Sequence, residues 1–162
     1  MEKGVSSFSV SVKIIDKTTK RRPLKMSAMI RSLLKMVPSE HMIGLESIVI
    51  VDQILDKRKD SLGQYRKGME SNSSEIWLSL ELIFEGMPRM VLSMPFVPKF
   101  MLANVLYHEI GHHYRYKTHG ISNASSEDFA EQYKKKLIIK AFKPWLIVLL
   151  PFRPLVKYLA RR

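Results

Sequence analysis

The stretch that most constrains this chain is Tyr107-His108-Glu109-Ile110-Gly111-His112-His113. His108 and His112 are four residues apart, so on a helix their imidazoles leave from one face, one turn from each other. Two neutral ring nitrogens at that spacing can reach a single tetrahedral metal ion. Glu109 follows the first histidine directly, where a carboxylate can take a proton from water at the metal. Zinc is the expected ion, because it lowers the pKa of a water ligand to about 7 and so makes hydroxide accessible at neutral pH. The stretch must therefore be helical, and a third protein ligand must come to it from elsewhere.

Spacing limits where that ligand can lie. An extended H-E-x-x-H-x-x-G-x-x-H pattern would place glycine at 115 and histidine at 118, but this chain has Arg115 and Thr118 there, with His119 one residue late. A carboxylate from the following helix is the other solution. Glu127, Ala130 and Glu131 share one face of such a helix, and a small residue at 130 lets two helix backbones approach closely. Glu127 is then the expected third ligand, with Glu131 behind it accepting an N–H from a ligating histidine. Asp128 and Glu131 stay open as alternative ligands.

The remaining pattern is that of one α+β domain. Residues 5–15 alternate as a half-buried strand, and Met26 to Met36 reads as a short helix ended by Pro38. Ile43 to Asp52 ends in a β-branched run expected to be a buried strand. A polar segment follows, with a short strand at Gln64-Tyr65-Arg66, and then Glu75 to Phe84 alternates as the clearest strand of the chain. Pro95 and Pro98 precede a helix from about Lys99 to Thr118, with Gly120 as its cap. A second helix starts near Ser125 or Ser126, either of which can cap it, and breaks at Pro144.

At His108, Glu109 and His112, and again at Glu127, Ala130 and Glu131, the chain resembles the gluzincin clan of zinc metallopeptidases, in particular its small minigluzincin and ImmA/IrrE-like members. The resemblance covers about residues 75–142. Chain length makes 1–162 a single domain, and the resemblance implies that it is compact and zincin-like, with a small and mostly antiparallel sheet, an active-site helix and a following glutamate helix. It implies catalysis by Glu109, a zinc ion held by His108, His112 and Glu127, and a peptide or protein substrate. It also implies that the strand before the active helix, Glu75 to Ile83, lies antiparallel to the bound peptide. The oxyanion-stabilising residue is left among His113, Tyr114, Tyr116, His119 and Tyr133.

Charge suggests a second theme. The chain carries 27 Lys and Arg against 15 Asp and Glu, a net +12. Seven cations and no acid lie between Lys17 and Ser39, and nine cations and no acid between Lys134 and Arg162. Such runs suit an anionic partner, and the apolar, basic tail 144–162 would suit an anionic membrane surface better than nucleic acid. A non-enzymatic basic module with a structural or vestigial zinc site is thus the alternative to a hydrolase. The chain has no cysteine, no secretory leader and no apolar run of membrane-spanning length, so a cytoplasmic protein with peripheral membrane association is expected.

Overall fold

A computed structural model describes residues 11–20, 25–54, 61–67, 73–94, 96–120 and 124–149. In chain order the elements are β1 (Lys13–Asp16), α1 (Met26–Leu34), a 3-10 turn (Ser39–Met42), β2 (Leu45–Val51), β3 (Gly63–Lys67) and β4 (Ser74–Ser79). The helices α2 (Leu80–Ile83), α3 (Arg89–Leu92), α4 (Phe96–His119) and α5 (Ala124–Leu149) follow. The α+β class expected from the sequence is what the chain adopts.

The sheet is four-stranded in the order β1-β2-β4-β3. It is mixed rather than mostly antiparallel. β1 and β4 both run parallel to β2, and only β3 runs antiparallel, against β4. Parallel neighbours need crossovers, and α1 with its turn and the 52–73 segment supply the chain length for them. β4 therefore has both edges occupied, so it cannot be the strand that receives a peptide. Among the described residues, the unpaired edge beside α4 belongs to β3.

The core forms where one face of the sheet meets α1 and α4. Ile48, Ile50, Ile76 and Leu78 project to that side and pack with Ile30 and Leu33 of α1 and Leu102, Leu106 and Ile110 of α4. Each such side chain contributes about 1.5–3 kcal/mol by leaving water. On the opposite face Val49, Val51 and Ile54 form a smaller cluster against Trp77. The strand expected to reach Phe84 ends instead at Ser79. The registered pairs end with Val51 opposite Ser79 and Gly63 opposite Leu78; one further bond, from the Glu81 N–H to the Asp52 carbonyl at 2.9 Å, accompanies the coiling of the chain into α2.

α4 has 24 residues, about 36 Å, and runs through the centre of the molecule. Pro98 lies in its first turn, where the missing N–H would have had no intrahelical partner. Tyr107 donates its hydroxyl to the Leu33 carbonyl at 3.0 Å, fastening α4 to α1. Gly120 ends it with φ +66 and an N–H bond to the Tyr116 carbonyl at 2.8 Å, the left-handed cap anticipated there. α5 then returns across α4. The crossing is tight: a Cβ on Gly111 would lie 2.8 Å from the Cα of Ala130. Two expectations fail in this half of the chain. α3 had no counterpart in the sequence reading, and Pro144 does not end α5, which continues to Leu149. The expected strand residues 5–10 and the tail beyond 149 lie outside the described residues.

Candidate metal centre

The close α4–α5 crossing brings the two predicted motifs together. His108 and His112 face α5 from successive turns of α4, with their Nε2 atoms 3.1 Å apart. Glu127, one turn before Ala130, reaches both: its carboxylate oxygens lie 3.4 Å from His108 Nε2 and 3.4 Å from His112 Nε2. Among the described residues, these three form the group whose donor atoms lie within 4.8 Å of one another. A tetrahedral zinc with bonds of about 2.0–2.1 Å separates its ligand atoms by roughly 3.4 Å, so the donor set fits that ion in type and spacing. Asp128, adjacent in sequence, is exposed and outside the group.

The rings are held unequally from behind. His112 presents Nδ1 to the Ser126 hydroxyl at 3.0 Å, a contact that leaves Nε2 for the cluster. Ser126 is buried within α5, so one of the two serines expected to cap the helix instead contacts His112. His108 Nδ1 is buried without a hydrogen-bond partner. Glu131 faces it at 3.9 Å, an ion-pair rather than a hydrogen-bond distance, while Lys134 holds the same carboxylate at 2.6 Å. Lys134 keeps the Glu131 carboxyl below its usual range. Burial lowers the His112 pKa, partly offset by the Glu127 charge.

Glu109 lies beside this group but not in it, since the next helical position points about 100° further round. It is 8% exposed, enclosed between α4 and β3. Burial pushes its carboxyl up to about 7, the Tyr65 backbone N–H pulls it down, and the Glu127 charge raises it again. This approach requires glycine at 63, where a Cβ would lie 2.6 Å from Val105 Cγ1 and 2.9 Å from Glu109 Cγ. The Ser79 N–H to Leu62 carbonyl bond, 2.9 Å, sets the antiparallel alternation. It turns the backbone groups of Gly63, Tyr65 and Lys67 away from β4, and the Tyr65 N–H thereby meets Glu109.

The five candidates for stabilising an oxyanion are engaged elsewhere. His113 is fully buried, donating from Nε2 to the Ile43 carbonyl at 3.1 Å, with Nδ1 2.9 Å from Ser74 Oγ. Burial takes its pKa down to about 4, so it is a neutral rivet between α4 and the start of β4. Tyr133 lies 2.8 Å from His41 Nδ1, and Tyr114 packs on the same imidazole with ring centres 3.9 Å apart. Tyr116 sits under Lys67, and His119 contacts Thr118 at the exposed end of α4.

Comparison with protein-family models, with characterised proteins and with solved structures gives no match.

Proposed function

We propose that the chain is a zinc-dependent endopeptidase of the gluzincin type. The observation that supports it most is a buried carboxylate, Glu109, held under β3 beside a converging His108, His112 and Glu127 donor set. A purely structural metal site has no need of a base at that position. A zinc ion held by His108, His112 and Glu127 would supply Lewis acidity toward a peptide carbonyl and toward water.

The chain's own residues do the rest. Glu109, oriented by the Tyr65 N–H, accepts the proton of the attacking water and returns it to the leaving amine. Ser126 keeps His112 in the tautomer that ligates. The outward backbone groups of β3 run past Glu109, and an extended peptide can pair with them as a further strand. That role moves from β4, expected on the resemblance, to β3. A cysteine-free chain also suits the reducing cytoplasm.

The test is Glu109→Gln, which keeps size and polarity and removes the base. The variant should retain zinc and cleave a peptide library, read by mass spectrometry with a chelator control, at least about 100-fold more slowly. Equal behaviour of wild type and variant would leave the non-enzymatic basic module as the better reading.

A further inference from the structure

The end of the molecule where α4 begins carries an apolar surface that the metal cluster does not use. Met90 and Met94, four residues apart in and just after α3, are 74% and 52% exposed. The Met94 carbonyl accepts the Val97 N–H at 3.0 Å, which ties that surface to the start of α4. Two residues after Met94, the ring of Phe96 meets three others, Phe100, Phe142 and Trp145, with centres 5.7, 5.7 and 5.5 Å away. Phe142 fills the inner side of this stack, whereas Trp145 leaves 50% of its surface in water. Exposed apolar groups gathered in this way mark a contact surface more often than chance.

Along the two segments that form it, the charges have one sign. From Gly86 to His108 the chain has Arg89 and Lys99 and no acid, and from Gln132 to Leu149 it has five lysines and no acid. Glu85, exposed at the turn before α3, is the nearest acid along the chain on the α3 side. We propose that this α3–α4–α5 face docks on an anionic lipid bilayer. Met90, Met94 and Trp145 enter the boundary between headgroups and acyl chains, and Arg89, Lys99 and Lys143 meet lipid phosphates.

Charge complementarity selects the bilayer over other occupants. A second copy of this face would set the same cations against each other. Residues 150–162 add Arg153, Lys157, Arg161 and Arg162 and no acid, so they carry the same sign and share the surface's preference. Nucleic acid would satisfy the cations but leave the methionines and Trp145 without an apolar medium. Docking of this kind is peripheral: among the described residues no helix is long and apolar enough to cross a membrane.

The experiment is co-sedimentation of the full chain with vesicles of phosphatidylcholine alone and of phosphatidylcholine mixed equally with phosphatidylglycerol. Wild type should bind the anionic vesicles at low salt, ignore the neutral ones, and show a blue-shifted tryptophan emission that Trp145→Phe removes. Met90→Glu/Met94→Glu, at two exposed positions, should keep the wild-type circular dichroism and melting temperature and bind at least about tenfold more weakly. Arg31→Gln/Lys35→Gln, an equal change of charge at exposed positions in α1 and at its C-cap, should lose no more than about threefold. No binding of wild type to anionic vesicles overturns the proposal. So does undiminished binding by the double glutamate variant, or an equal loss in the α1 pair. A vesicle-free dimer that the glutamates dissociate would assign the face to a second copy and overturn it as well.

Discussion

Replacing Gly111 with alanine sets two effects of opposite sign against each other. In a free helix the change stabilises by about 1 kcal/mol, because glycine is the poorest ordinary helix former. Here the new methyl would lie 2.8 Å from Ala130 Cα, 3.2 Å from its Cβ and 3.3 Å from its carbonyl oxygen. Carbon atoms rest at about 3.5–4.0 Å, so α5 must retreat by roughly 0.7 Å or more. Two of the three obstacles are backbone atoms, which cannot swing aside. Overpacking of this kind costs about 1–3 kcal/mol, so the net change should be a destabilisation of about 0–2 kcal/mol. The site registers the shift more sharply, since α5 carries Glu127 one turn from the contact while both histidines stay on α4. Zinc affinity should fall by about tenfold or more, the scale on which displaced supporting groups are felt. Thermal unfolding of the metal-free protein and competition with a chromophoric chelator measure the two effects separately. A Gly111→Ala protein that gains the full propensity term and keeps wild-type zinc affinity would refute the reasoning.

Three further outcomes follow from the same geometry. Metal content by mass spectrometry should be near one zinc per chain, lost in His108→Ala and His112→Ala, and reduced far more by Glu127→Ala than by Asp128→Ala or Glu131→Ala. If Glu131→Ala empties the site, the ligand set is wrong. Ser126→Ala removes the 3.0 Å partner of His112 Nδ1 and should weaken zinc binding by about 10–100-fold, with melting of the metal-free protein shifted little. Acid should destabilise the metal-free protein through His113: its folded pKa of about 4 lies below the ordinary 6.5. The unfolded state therefore takes up a proton first as pH falls, and stability present above 6.5 is lost between 6.5 and about 4, by roughly 3 kcal/mol. His113→Gln melting at the same rate with pH as wild type would show that another group carries the loss.

The His108, His112 and Glu127 cluster was legible because helix periodicity alone fixes the faces these residues occupy. His108 with His112, and Glu127 with Ala130, needed nothing beyond 3.6 residues per turn, and Ala130 betrayed the close crossing by its size. What the sequence could not carry was spatial order. Nothing along Glu75 to Phe84 says which strands flank it, so the sequence cannot show that β4 lies inside the sheet and β3 at its edge. The same stretch fits two periods at once. Ile76, Leu78 and Leu80 alternate, while Leu80, Ile83 and Phe84 follow helical spacing, and the length of the neighbouring strands decides where one period yields to the other. Ser126 gave no signal as a partner of His112, because it is 14 residues away and doubles as a plausible cap. Pro144 misled for a simpler reason: it removes one helical bond and can kink a helix without ending it.

A sheet edge is also where folded chains join into fibres, and β3 is guarded against that fate. It has only five residues, about 17 Å. Of its outward groups, the Tyr65 N–H is claimed by Glu109 and the Gly63 carbonyl by the Ser61 hydroxyl. Arg66 and Lys67 add two like charges that would confront themselves in any stack of identical edges. A short foreign strand can still find unclaimed groups there, whereas a ladder of copies would also have to bring these like charges together. The glutamate that would do chemistry on a bound chain thus also helps keep the molecule from becoming its own ligand.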